Sequence, residues 1–142
     1  MTSVQQDTPA ATSASRLAAL RGNCMGAAVL LIIQFGLGMG VNLNVTLPGH
    51  KSFLSEVSGS AVLAAHALVA LALLGAAIAA LVRAIRARKA IVFTSAGLAA
   101  ILVAGIAGAS FVGNGSNGAS LSMALATAVA MFCYLAAVFS LR

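Results

Sequence analysis

Long uncharged apolar stretches, separated by short polar or basic segments, run through most of this chain. The first lies between Arg21 and Lys51, the second between Glu56 and Arg83, and one unbroken uncharged run extends from Ala90 to Leu141. A helix needs about 20 apolar residues to cross a hydrocarbon core, so this last run is long enough to cross twice. Its midpoint, Gly113-Asn114-Gly115-Ser116-Asn117-Gly118, consists of residues that break an apolar helix and suit a solvated reversal. The pattern predicts an all-α membrane protein, a four-transmembrane-helix bundle with spans of about 23–45, 58–82, 90–112 and 119–141.

Residues 1–15 are small and polar, without apolar periodicity, and read as a disordered tail because they have too little apolar surface to bury. A cleaved signal peptide is the rival reading of the N-terminal region. The apolar core after Arg16 and Arg21 is longer than a signal core, and Gly38-Met39-Gly40-Val41-Asn42 lacks a small-residue cleavage pattern. The segment is therefore expected to stay as the first helix.

Charge gives the expected orientation. Arg16 and Arg21 precede the first span, Arg83, Arg86, Arg88 and Lys89 separate the second from the third, and Arg142 ends the sequence. An even number of crossings places these on one face, and short loops rich in Lys and Arg stay in the cytoplasm. Both termini are expected on the cytoplasmic side of the cell membrane, a bacterial inner membrane. On the other face Lys51 is the one cation, and Glu56 offsets it.

Composition narrows the function classes. The chain is 61% hydrophobic and 7% charged, far from the balance of a soluble domain. Its net charge of +6 is explained by topology and by anionic lipid headgroups, so no nucleic-acid partner is expected; the expected partners are the lipid bilayer and another membrane protein. A chain of 142 residues with most of its length in spans leaves no room for a soluble catalytic domain, and no catalytic residue is assigned. The acids are Asp7 and Glu56 alone, which excludes a Ser/His/Asp set. Cys24 and Cys133 have no metal-ligand spacing and read as packing residues. Gly36-Leu37-Gly38-Met39-Gly40 falls inside a span with no Lys-Ser/Thr after it, so it is not a phosphate loop.

Small residues four apart point to helix packing: Gly22 with Gly26, Gly36 with Gly40, and Ala104 with Gly108. In lipid, close backbone approach is what holds helices together. The polar residues within the spans, Gln34, Asn42, Asn44, His66, Ser110, Ser120 and Ser122, lie mostly toward the outer ends. Unpaired polar groups are costly in hydrocarbon, so these residues are expected to converge on a polar pocket in the outer half. His66 is the ionisable group among them. It is a candidate ligand for haem or a metal, or a proton relay; alternatively it is a neutral imidazole bonded to Asn42, Asn44 or a serine. His50, in the Pro48–Lys51 turn, is a weaker ligand candidate.

A faint internal repeat aligns His66-Ala67-Leu68-Val69-Ala70 with Met123-Ala124-Leu125-Ala126-Thr127 and brings Arg83 into register with Arg142. A parallel duplication would set His66 opposite Met123, and His with Met is a known haem ligand pair. The stretch Gln34 to Leu47, then His66-Ala67-Leu68, Gly108-Ala109-Ser110-Phe111 and Ser120-Leu121-Ser122-Met123-Ala124 resemble a family of small four-pass bacterial membrane proteins. That resemblance implies a fold and a membrane location, not a reaction. The layout is also similar to one four-helix half of a haem A synthase, where histidines on the second and fourth helices hold haem. His66 matches the first of these, while the fourth helix here has no His and no outer cysteine pair is present. Three functions follow as expectations: an accessory or interaction subunit of a larger membrane complex, a haem- or quinone-binding redox protein with its site around His66, and a half-unit of an oligomeric small transporter.

Overall fold

In the computed structural model, which describes residues 9–44 and 59–142, four α-helices follow one another: α1 Pro9–Asn44, α2 Ala61–Ala87, α3 Ile91–Asn114 and α4 Asn117–Ser140. Each contains a segment long and apolar enough to cross a membrane: Ser13–Asn44, Ala61–Ala87, Ile91–Gly113 and Asn117–Ser140. Helix α1 begins at Pro9, so residues 9–15 belong to the helix and not to a tail. Proline suits a first helical turn, where its missing N–H would go unpaired anyway, and the alanines after it favour helix. Residues 1–8 lie outside the described residues, as do residues 45–58, which include His50, Lys51 and Glu56.

The helices form a closed ring in which α1 packs on α2, α2 on α3, α3 on α4 and α4 back on α1. Neighbours therefore run antiparallel. The reason lies in a seam with alternating three- and four-residue steps along every helix. In α1 it runs Leu20, Cys24, Ala27, Leu31, Gln34, Gly38, Val41, and in α2 Leu63, His66, Ala70, Leu73, Ala77, Ala80, Ala84. In α3 it runs Thr94, Gly97, Ile101, Ala104, Gly108, Phe111, and in α4 Ser120, Met123, Thr127, Ala130, Tyr134, Ala137, Leu141; all of these positions are buried or half-buried. A 3.5-residue repeat keeps one face turned inward along a whole helix, as in coiled coils and four-helix bundles.

Two short links close the ring. Arg88 caps α2 in the left-handed region (φ 52°), with its N–H on the Ala84 and Ile85 carbonyls, and Ala90 adopts φ 56° before α3. At the other end Gly115 (φ 62°) donates its N–H to the Phe111 carbonyl at 2.8 Å. Ser116 then caps α4, its Oγ accepting from the Ala119 N–H at 3.1 Å. The expected reversal at 113–118 thus shrinks to two residues between helices.

Arg16, Arg21, Arg83, Arg86, Arg88, Lys89 and Arg142 are exposed and gather at one end of the ring, the basic end. Arg83 donates from Nη1 to the Ala19 carbonyl at 3.1 Å, and one step further in Asn23 donates from Nδ2 to the Ala76 carbonyl at 2.8 Å, tying α1 to α2. The core of this half is alanine-rich and filled by Tyr134, which is fully buried. Gly97 makes room for it: a Cβ there would sit 2.8 Å from Tyr134 Cε2.

The glycines selected by sequence divide. Gly22, Gly26 and Gly36 are exposed, and a Cβ on any of them would meet nothing within 4 Å, so within this chain they pack against no helix. Their four-residue spacing is real, but it lies on the face of α1 opposite the Leu20–Val41 seam. Gly40 does pack, 3.5 Å from Val62 Cγ1 at its Cβ position, and Gly108 meets Met123 Sδ at 3.3 Å. Ala104 lies on the α3 seam.

Candidate functional site

In the distal half, away from the basic end, four seam positions carry small residues: Gly38 and Gly108, against which His66 and Met123 pack, and Ala70 and Ala104. All four line a cavity of about 460 Å³. Leu31, Leu73 and Ile101 of the main core form its floor, while Val41, Leu63 and Val112 pack together with Phe111 at its distal end. Its walls are mostly apolar, with Gln34, Asn42, His66, Ser120 and Thr127 as the polar residues among them. Part of the lining is exposed: Phe35 and Met39 on α1, Leu71 on α2, and Leu102 and Ile106 on α3. Of the neighbouring helix pairs, α2 and α3 touch least.

Two polar side chains meet at the wall. Gln34 is 9% exposed, and its Nε2 lies 3.2 Å from His66 Nε2. The imidazole sits against α1, within the space left by Gly38: a Cβ there would stand 3.2 Å from His66 Cε1. The contact leaves Gln34 Oε1 and His66 Nδ1 buried with no hydrogen-bond partner. Orphaned buried polar atoms are uncommon and each carries a desolvation cost of about 1–3 kcal/mol. If the Gln34 amide donates, the neutral imidazole carries its proton on Nδ1, leaving an acceptor on Gln34 and a donor on His66. If the amide is turned over, His66 Nε2–H donates to Oε1, and the unpaired groups become the amide N–H and the Nδ1 lone pair. Either way one donor type and one acceptor type remain.

The expected polar pocket is thus partly assembled. Gln34, Asn42, His66 and Ser120 line the cavity, together with Met123. Ser120 Oγ donates to Asn42 Oδ1 at 3.4 Å, joining α4 to α1 near the distal end. His66 bonds to Gln34, more than two turns deeper on α1 than the Asn42 or Asn44 expected for it, and to none of the described serines. Asn44, Ser110 and Ser122 are exposed and do not line the cavity; Asn44 turns back to the carbonyl of Gly40 at 2.9 Å. Depth along a helix says how far in a residue lies, but not which way it faces, and these three sit off the seams. His66 and Met123 both line the cavity from opposite members of the ring. Gly38 and Thr127 were missed by sequence reasoning. The seam from Leu20 to Val41 would have found Gly38, and the step from Met123 to Ala130 would have found Thr127.

His66 Nε2 is held by Gln34, and a Gly108 Cβ would stand 3.3 Å from Met123 Sδ. Among the described residues no group of three or more His, Cys, Asp or Glu side chains is placed to hold a metal ion.

The fold and site define a class: an all-helical ring of four helices with the length and apolarity to cross a membrane, holding a half-open apolar cavity with one buried amide–imidazole pair. No family model, curated protein or solved structure matches the chain.

Proposed function

We propose that this is a multi-pass protein of the cell membrane, both termini cytoplasmic, that binds a lipid-soluble small molecule in its distal cavity without transforming it. One observation carries the reading: about 460 Å³ of mostly apolar space lined by Gln34 and His66, each of which keeps one buried polar atom without a hydrogen-bond partner. Ligand sites are of this kind, concave and mostly apolar with few convergent polar groups. Of the two cofactor readings around His66, the quinone-type molecule is the one we favour, since the imidazole Nε2 is engaged by Gln34. Orientation rests on the basic end, whose seven cations belong in the cytoplasm.

Native mass spectrometry of the protein released from membranes in mild detergent tests the binding reading. The wild type is expected to carry a neutral lipophile, and Ala104→Phe, which fills the cavity, is expected to lose it. An empty wild type, or equal occupancy in both, overturns the reading. Reporter fusions at Arg86 that give an external location overturn the orientation.

A second role, as an accessory subunit beside a larger membrane protein, is favoured by the open face of Gly22, Gly26 and Gly36. Such small-residue faces allow close helix approach in lipid. Gly36→Leu leaves the bundle itself unstrained and is expected to abolish co-purification of a partner; co-purification unchanged by the substitution removes this role.

A further inference from the structure

Resting on the cavity reading, we infer that the ligand is a neutral amphiphile whose head is a hydroxyl, able to donate and accept a hydrogen bond, and that it enters from the bilayer between α2 and α3. Three observations converge. First, among the described residues no charged side chain lines the cavity, so an anionic or cationic head would be buried there without a counter-charge from them, which is prohibitive in an apolar site. Second, the Gln34–His66 contact leaves one donor type and one acceptor type whichever way the amide lies. A hydroxyl meets either arrangement, whereas an ether or an isolated carbonyl can only accept. Both unpaired atoms are buried, and the last torsion of a glutamine is soft, so a turn of the amide on ligand entry is what brings its free atom to the head.

Third, the route in is apolar. The distal end is closed by Val41, Leu63 and Val112, and the exposed rim residues along α2 and α3 are Leu71, Leu102 and Ile106. A molecule arriving from water would have to pass the distal plug; one dissolved in lipid meets these exposed residues. Gln34 lies seven residues below Val41 on the α1 seam and His66 three below Leu63 on the α2 seam, so the head enters first and the apolar tail remains in the opening, continuous with the lipid chains.

The test uses the full-length protein in lipid nanodiscs and equilibrium binding of radiolabelled probes that share one alkyl tail: an alkylphenol, its methyl ether, a straight-chain alcohol and an alkyl phosphate. The alkylphenol is expected to bind about tenfold more tightly than its ether, the worth of one buried hydrogen bond. Gln34→Met, close in shape, is expected to remove that difference, while Ala104→Phe removes all binding. The phenol and the alcohol separate the two sources of a hydroxyl head: preference for the phenol assigns a quinol-type ligand, and preference for the alcohol assigns a lipid alcohol. Equal binding of phenol and ether, both lost in Ala104→Phe, overturns the hydroxyl inference while the cavity reading stands, as does tightest binding of the phosphate. If no probe binds the wild type, both fail. Fluorescence of an Ile106→Trp variant, the sole tryptophan in a chain that has none, reports the entry side. Quenching by brominated lipid that falls as the alkylphenol saturates supports it, and quenching indifferent to the probe overturns lateral entry.

Discussion

Gly97 and Tyr134 show how one residue's absence of side chain fixes another's position. The ring of Tyr134 lies where a Gly97 Cβ would stand 2.8 Å from Cε2, and ring and glycine belong to different helices, so neither can yield without parting α3 from α4. Gly97→Ala is expected to destabilise the bundle by about 1–3 kcal/mol, measurable as a lower midpoint in detergent-denaturation. The same tyrosine has a buried hydroxyl with no partner. Tyr134→Phe removes that orphan and keeps the ring, so stability is expected to hold or rise by up to about 1 kcal/mol; a large loss would show that the hydroxyl has a partner that matters. None of this was legible in sequence, where Gly97 is one glycine among 14 and Tyr134 a single aromatic in an Ala-rich helix.

At the scale of the element, helix ends and helix faces behave differently. The ends were legible to within a few residues because breakers are local: Gly115 takes φ 62° and closes α3 on the Phe111 carbonyl, a geometry that suits glycine. Gly115→Ala is expected to cost about 1 kcal/mol, read as a fall in thermal midpoint without loss of helix content. The start of α1 was misjudged, since a polar composition without periodicity says nothing against a helix extending beyond the apolar core. Faces were harder. Gly22, Gly26 and Gly36 satisfy a packing motif yet point outward, and Gly22→Leu is expected to leave monomer stability within about 0.5 kcal/mol. The seam of alternating three and four steps was present in the sequence all along. It was obscured because Ala and Gly occupy both the inward and outward faces, so hydrophobicity alone gives little contrast between them.

For the whole molecule, stability and binding oppose each other in the distal half. The basic half packs Tyr134 against a column of alanines, whereas Gly38, Ala70, Ala104 and Gly108 line a cavity in the distal half. Filling that space gains dispersion contacts that the void forgoes. Ala70→Leu is accordingly expected to raise the denaturation midpoint while abolishing binding of a lipid-soluble probe. If the variant loses both stability and binding, the space is already occupied by protein side chains and the cavity is not a site.

The sequence by itself determined four apolar helices, their approximate ends, the single basic end and the polar character of Gln34, Asn42, His66 and Ser120. Those properties depend on composition within short windows and on whether backbone groups can be satisfied inside a helix. Only the tertiary structure decided that α1 to α4 close into a ring, that His66 pairs with Gln34, that Asn44, Ser110 and Ser122 turn away, and that small residues on separate helices line one cavity. A void is a sum over residues distant in sequence. Its existence depends on the rotation and height of each helix relative to the others, and no single helix carries that information.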